Sequence, residues 1–549
     1  MDKNRNQNIN TRYSRLLIGC FVAALMLPSL VLIFTDNYSF VRAVAAVLIP
    51  TGFYTLWAVA SRRSGLMVWG GLIWMIFAAL QLVLLYMFGN SIIAVDMFTN
   101  LFTTNSTEAG ELLGNIWPMV MFVAALYIPL LMLATHSLQQ KFTIAPATRR
   151  CAAIVGAVMM LAGCATLQFD VFPFNVVENL YRSFDELVHV RRYPTSSADF
   201  DFKAERNKTT DQREIYVMVV GEASRASSWQ LYGYERENNP LLAEQSNLVV
   251  YKNMLTQSNA THKSVPLILS SVSANNHSEI YQRQSIVRLY KDAGFRTLVV
   301  SCQAPNRGLI QMMCDDADSV IYLNGQHDGA MLEPLRKAIQ SDSSDLFVLL
   351  HSYGSHFNYA ERYPEDFSRY KPDDDVSISR KNRERMVNAY DNSVLYTDWF
   401  VSQVIATLSE AECCSAMFYC SDHGEDLYDD RRARFLHSSP TITYYQAYVA
   451  CFGWYSDAWR TANPEKALAA ENNIFAPATT HSVFHTVAQL ADIDSEYILS
   501  EVSLVSNEFD YDVERHYLSD HCEPKRYVDM GLNRDDLAEF AKRGINDLE

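Results

Sequence analysis

The chain has 549 residues, 49% of them hydrophobic, and a net charge of −16. That charge is split: residues 1–168 carry a balance of +5 and residues 169–549 one of −21. An acidic second part argues against nucleic acid as a partner, because duplex binding relies on Lys and Arg neutralising phosphates. Its length suits one large α/β domain, not a small module.

Five apolar stretches come first, at residues 16–34, 41–60, 65–88, 117–134 and 151–168. As helices, most are long enough to cross a hydrocarbon core of about 30 Å, and a helix satisfies its own backbone there. Lys3, Arg5, Arg12 and Arg15 precede the first stretch, Arg62 and Arg63 follow the second, and Lys141, Arg149 and Arg150 follow the fourth. These basic segments fall on one side and Asp36, Asp96, Glu108 and Glu111 on the other. The positive-inside rule therefore puts the N-terminus in the cytoplasm and residues after 168 outside it. A cleaved signal peptide fits the first stretch poorly, since it is long, has no small-residue cleavage site and precedes four more spans.

Residues 173–193 predict an amphipathic helix, with Val177, Leu180, Phe184, Leu187 and Val188 at helical spacing. Such a helix either lies in the headgroup layer or packs on the following domain. Residues 194–213 read as a linker. This divides the chain into a transmembrane domain (1–168), a helix and linker (169–213) and an outer domain (214–549).

From residue 214 on, short apolar runs alternate with helical patterns, the signature of a mostly parallel sheet covered on both faces. Strands are predicted at 215–220, 297–301, 346–350, 416–420 and 447–452. Three run straight into polar clusters: Gly221-Glu222, residues 351–356, and Ser421-Asp422-His423-Gly424. Ligand sites in open α/β sheets gather at strand C-terminal ends, so these distant segments can meet. Two carboxylates and an imidazole, Glu222, Asp422 and His423, suit Zn²⁺ in a catalytic site with an open position. A neighbouring hydroxyl would have its pKa lowered, and Thr261 is the candidate. On residues alone, a Thr such as Thr261 in a polar loop is far more often a cap or turn residue; the Asp-His pair is the stronger signal, with a metal-free helix N-cap as its alternative.

Gly221-Glu222-Ala223-Ser224-Arg225, then Leu231-Tyr232-Gly233-Tyr234-Glu235-Arg236 and Pro240, resembles the opening signature of the phosphoethanolamine transferases, alkaline-phosphatase-like enzymes that modify bacterial lipopolysaccharide. Thr261 with Ser264-Val265-Pro266 is similar to that family's nucleophile segment, Ser421-Asp422-His423-Gly424-Glu425 to its metal motif, and Phe435-Leu436-His437 to its downstream histidine. His351, His356 with its neighbours, and 390–396 resemble further blocks. The resemblance implies a five-helix transmembrane domain joined to an alkaline-phosphatase/sulfatase-like α/β domain at the bacterial inner membrane, with the catalytic part in the periplasm. It implies that Glu222, Thr261, Asp422 and His423 bind one zinc, and that His356 and His437 hold phosphate oxygens or a second metal. Asn100, Thr104 and Glu108 would serve the ethanolamine end of the substrate. The implied donor is phosphatidylethanolamine, the acceptor lipopolysaccharide, and the mechanism a double displacement through a phosphoethanolamine-threonine intermediate.

The chain departs from the lipid A branch of that family. Gln257 and Leu267 stand where that branch has cysteines flanking the nucleophile, and His262 and Lys263 follow Thr261. The motif details look more like the branch that decorates core heptose phosphate, which slightly favours a core sugar as acceptor. Among ten cysteines, Cys302 and Cys314 are expected to pair beside the site in an oxidising compartment. Cys413, Cys414, Cys420, Cys451 and Cys522 offer no evident pairing, and Cys420 and Cys451 read as buried thiols in strands. Cys522-Glu523-Pro524-Lys525-Arg526 fits the short sulfatase pattern but follows every metal motif, whereas the sulfatase cysteine occupies the early place that Thr261 holds here. The rival readings are a phosphoglycerol transferase drawing on phosphatidylglycerol, a sulfatase or phosphodiesterase of the same superfamily, and a catalytically inert tethered binding protein.

Overall fold

The computed structural model describes residues 2–36, 38–88, 92–103, 106–208, 210–374 and 377–548, without the side chains of 2–9, 88, 100–103, 106–109 and 111–115. Its contacts divide the chain into two compact units, one of residues 1–98 and 107–184, the other of 99–106 and 185–549.

The first unit is helical. Among the described residues, the segments Asn10–Thr35, Phe40–Ala58, Ile116–Gln139 and Pro146–Cys164 are each long and apolar enough to cross a membrane. A fifth span is reached if Ser64–Gly70 and Leu72–Met87, bent by 52°, count as one. Phe40–Ala58 and Pro146–Cys164 approach closely because small residues face each other. A Cβ on Gly52 would lie 2.6 Å from the Gly156 carbonyl oxygen. Small residues at such a crossing let backbones pack where no hydrophobic driving force acts between helices. At one end of the unit the basic segments converge. Arg149 donates to the Val59 and Ala60 carbonyls at 2.8 Å, Arg15 to the Thr148 hydroxyl, and the Ile144 amide to the Arg62 carbonyl.

The predicted amphipathic helix forms over Phe174–Ser196, three residues further than the pattern suggested. Ser196 and Ser197 turn their hydroxyls back onto the Tyr193 carbonyl, which carries the last turn past Pro194.

The second unit is built on a seven-stranded sheet: β1 (Glu214–Gly221), β2 (Leu248–Val250), β3 (Arg296–Ser301), β4 (Ser319–Tyr322), β5 (Leu346–His351), β6 (Cys414–Ser421) and β7 (Cys451–Tyr455). Its order is β2-β7-β6-β1-β5-β3-β4. Strand β1 runs parallel to β5 and β6, and β3 parallel to β4 and β5, whereas β7 is antiparallel to β6 and β2. Every residue of β1, β5 and β6 is buried, which explains why their sequences are near-continuous apolar runs.

Two expectations need correction. The apolar run 447–452 is not one strand. Residues Tyr444–Ala447 form a helical turn capped by the Thr443 hydroxyl on the Gln446 amide, and the strand starts at Cys451. Cys302 and Cys314 are both free thiols, as are the other eight cysteines. The Cys302 thiol, just past β3, faces the His327 carbonyl at 3.9 Å, while Cys314 ends the helix Leu309–Cys314 inside the hydrophobic core. Their side chains serve different environments, so closeness in sequence does not make a bridge.

The Phe347 ring, fully buried on β5, stacks on Tyr290 at 3.9 Å between centroids. Phe347→Ala would remove that stack and leave a cavity beside the central strands. The expected loss is about 3–5 kcal/mol of stability, read as a lower unfolding midpoint of the full chain in detergent.

Candidate active site

The C-terminal ends of β1, β3, β5 and β6 bring the polar clusters together. Glu222 follows β1 directly and is 1% exposed. Its carboxylate accepts from the Gln303 amide at 3.1 Å, and Gln303 also donates to the Ser352 carbonyl beyond β5. Gly354 explains how the chain after β5 passes so near. It has φ +48°, and a Cβ there would sit 2.7 Å from the Glu222 carbonyl oxygen. The Ser355 amide donates to that same carbonyl at 3.0 Å.

Asp422 follows β6 and is fully buried. One carboxylate oxygen accepts from the Ala223 amide at 3.1 Å and the His423 amide at 2.7 Å. The other accepts from the Ser264 hydroxyl at 3.2 Å and lies 3.2 Å from His423 Nε2. Asp422 thus ties together the segment after β1, the segment after β6 and the helix that carries Thr261.

His423 Nδ1 lies 2.9 Å from the Gly424 carbonyl oxygen. That oxygen can only accept, so Nδ1 carries the proton and the Nε2 lone pair is free. Nε2 is 3.0 Å from the Thr261 hydroxyl and 3.5 Å from Glu222 Oε1. Burial holds the imidazole neutral by pushing its pKa down to about 4. His437 repeats the arrangement: its Nδ1 lies 2.9 Å from Glu425 Oε2, its ring sits 4.0 Å from that of His423, and burial lowers its pKa to about 4. The Tyr359 hydroxyl donates to the other Glu425 oxygen at 3.1 Å.

Thr261 opens the helix Thr261–Leu269, and its hydroxyl lies 3.4 Å from Glu222 Oε1. Ala260 precedes it with no side-chain cap. The first amides of this helix are therefore not taken up by a capping side chain, and they sit where an anion is favoured.

The donor set fits a zinc ion. Ligand atoms of Glu222, His423 and His437 all lie within 4.8 Å of one another. Among the described residues, neither Glu222 nor Asp422 is paired with Lys or Arg, and the imidazole that lies within ion-pair distance of both is that of His423. Burial and, after it, the Asp422 charge push the Glu222 carboxyl well above its usual range. Two buried carboxylates held this way are costly unless a cation joins them.

The structure thus brings Glu222, Thr261, Asp422, His423 and His437 to one place. His356 lies further out, its ring 6.3 Å from that of His437, with Nδ1 against the Phe357 carbonyl. Burial first, then the nearby Arg362 charge, lowers its pKa to about 3. Of the three residues expected at the ethanolamine end, Thr104 and the side chains of Asn100 and Glu108 lie outside the described residues. Glu425 and Gln303, which orient His437 and Glu222, were not singled out from sequence. Glu425 stood in plain view beside the metal motif, whereas nothing local marks Gln303. Cys522, from the sulfatase-like pattern, donates its thiol to Glu186 at 3.0 Å.

Comparison with known proteins bears on the fold and the family. The family model described as Sulfatase matches residues 214–493, and that described as Phosphoethanolamine transferase EptA/EptB matches residues 71–179. The phosphoethanolamine transferase EptA of Escherichia coli (strain K12) is 30% identical over 245 residues, covering 42% of this chain and 44% of that protein. EptC of the same strain is 23% identical over 331 residues, covering 55% of each. The chain thus spans about half the length of the curated relatives it matches. Among solved structures, the integral membrane lipooligosaccharide phosphoethanolamine transferase A of Neisseria meningitidis has a TM-score of 0.70 at 18% identity, covering 91% of this chain and 97% of that one. The periplasmic domain of Escherichia coli EptC, solved in complex with Zn, has a TM-score of 0.55 at 22% identity, covering 61% and 97%. These structural likenesses speak for the fold: apolar N-terminal helices followed by an alkaline-phosphatase-like domain. With the sulfatase model spanning half of its length, the chain belongs to the sulfatase family, and the model over residues 71–179 together with the curated relatives supports a place among the phosphoethanolamine transferases.

Proposed function

We propose that this chain is a multi-pass inner-membrane enzyme, N-terminus cytoplasmic and outer domain periplasmic. In this reading it transfers phosphoethanolamine from phosphatidylethanolamine to lipopolysaccharide through Thr261. The observation that carries the reading is the Thr261 hydroxyl at the start of a helix, 3.0 Å from an unprotonated imidazole nitrogen and 3.4 Å from a buried carboxylate. A threonine placed so is a nucleophile in waiting, not a cap. The similarity to relatives named phosphoethanolamine transferases points to the transferred group, and the EptC domain solved with Zn points to the metal.

Glu222, Asp422, His423 and Thr261 would hold the zinc, with His437 near enough to join them. When bound, the zinc would supply a Lewis acid that lowers the hydroxyl pKa and offsets charge on the phosphate oxygens. The residues do the rest. Asp422, anchored by two backbone amides, fixes the angle between the Thr261 helix and the strand ends. The positive end of that helix would favour charge on the non-bridging oxygens, where it gathers in the transition state. The Thr261 oxygen bonds to phosphorus as the bond to the diacylglycerol oxygen breaks, and the hydroxyl proton ends on the departing diacylglycerol. An acceptor hydroxyl then bonds to the same phosphorus, the bond to Thr261 breaks, and the threonine recovers its proton. Residence in the bilayer would keep the lipid donor at high local concentration.

The test is direct. In vesicles containing labelled phosphatidylethanolamine, the purified chain should release diacylglycerol, stop with a chelator and resume with added zinc. Thr261→Ala should reduce release to background while leaving zinc binding measurable. No release by the wild-type chain, or release only from phosphatidylglycerol, would defeat the reading.

A second prediction follows from the backbone approach at Gly354. Gly354→Ala must push the Glu222 main chain aside, which misplaces a ligand without touching the metal. We expect zinc affinity to fall by about 10- to 100-fold in competition titrations with a chelator, in the range seen when outer-shell partners are lost.

A further inference from the structure

Cys420 is the penultimate residue of β6, immediately before Ser421-Asp422-His423, and Cys451 is the first residue of β7. The two are direct partners across the antiparallel pair. Hydrogen bonding shows which kind of partner they are. The next position, Ser421, donates its amide to the Ala450 carbonyl at 2.9 Å, so the Ser421 and Ala450 positions are joined by the ladder. Cys451 spends its own amide on the Tyr232 hydroxyl and its carbonyl on Tyr232 and the Tyr251 amide. The two cysteines therefore form a non-hydrogen-bonded pair, the kind in which Cα atoms stand about 4.5 Å apart and side chains are closest. That spacing lies inside the range a disulfide spans.

Both side chains point to the same face of the sheet and pack in the same buried cluster, with Cys414, Ala416 and Phe418 on alternate positions of β6. Both are free thiols in this structure, and that of Cys420 donates to the Ser421 carbonyl at 3.4 Å. Cys302 and Cys314 lack this cross-strand relation, since Cys302 follows β3 and Cys314 ends the helix Leu309–Cys314.

We propose that Cys420 and Cys451 are a covalent modification site, joined by a cross-strand disulfide in the mature protein. The loop it closes, residues 421–450, contains Asp422, His423, Glu425 and His437, so the bridge would pin the base of the metal-binding segment. Two thiols react with one external disulfide, such as oxidised glutathione or the oxidised cysteine pair of a periplasmic oxidoreductase. One cysteine thiolate attacks a sulfur of that disulfide to give a mixed disulfide, and the second cysteine displaces it. The chain loses two hydrogens and the oxidant gains them as two thiols. Because both cysteines are no more than 1% exposed, the exchange belongs to folding, before β7 closes on β6.

The proposal rests on the outward placement of this domain argued above, and two arms of one experiment keep the questions apart. In the first, membranes are quenched with N-ethylmaleimide, and the full chain is purified, unfolded without reductant and mapped by mass spectrometry. A linked peptide pair containing Cys420 and Cys451, lighter than its parts by two hydrogens and lost in Cys451→Ser, is the expected result. In the second, the reduced chain is refolded in detergent with reduced and oxidised glutathione. Both cysteines alkylated after that refolding would overturn the pairing itself. A bridge formed there but absent from cells would overturn the claim for the native protein and, with it, the placement of the domain in an oxidising compartment.

Discussion

Two carboxylates, Glu222 and Asp422, stand almost without solvent at the ends of adjacent parallel strands, with a neutral imidazole between them. Bringing like charges together out of water is unfavourable, and no guanidinium or ammonium group among the described residues balances them. The fold around them is best understood as the framework that makes this arrangement tolerable once a dication is present. Backbone amides from two segments hold Asp422, the Gln303 amide steadies Glu222, and carbonyl and carboxylate acceptors turn both histidines so that Nε2 points inward.

The sheet supplies the positions. Because β1 lies between β5 and β6 and runs parallel to both, the segments that leave these three strands emerge side by side at one edge. Residues some two hundred positions apart in sequence can then share hydrogen bonds, as the Ala223 amide and Asp422 do. Glycine at 354 is required because the turn after β5 passes within contact of the Glu222 main chain, where a side chain has no room. Rigidity here has a chemical purpose. Phosphoryl transfer asks the protein mainly to position groups and oppose charge, and a site assembled from strand ends does both with little reorganisation.

The helix of Thr261 joins this framework through the Ser264 hydroxyl on Asp422 and through the Thr261 hydroxyl beside Glu222 and His423. These links couple Thr261 to the two carboxylates and the imidazole, and they place the start of the helix, with its positive end, toward the same point. The apolar N-terminal helices form a separate compact unit, whose basic residues gather at one end and whose glycines allow two spans to cross closely.

Much of the candidate site was legible in the chain because the residues the fold brings together sit in short motifs: Glu222 directly after one apolar strand, Asp422 and His423 after another, Thr261 at a helix start. By itself the sequence determined the apolar spans, the alternating pattern of the outer domain and the residue types able to hold a cation, since hydrophobic periodicity and ligand chemistry are local properties. Only the tertiary structure decided which cysteines are neighbours, because spacing along the chain says nothing about strand register: Cys302 and Cys314 sit in different surroundings, while Cys420 and Cys451 are paired positions of β6 and β7. It also decided that residues 444–447 coil before β7 begins, and that Gln303, Gly354 and Glu425 brace the ligands. Those roles arise from strand order and close approach, which depend on how the whole sheet is assembled and leave no mark on any single stretch of sequence.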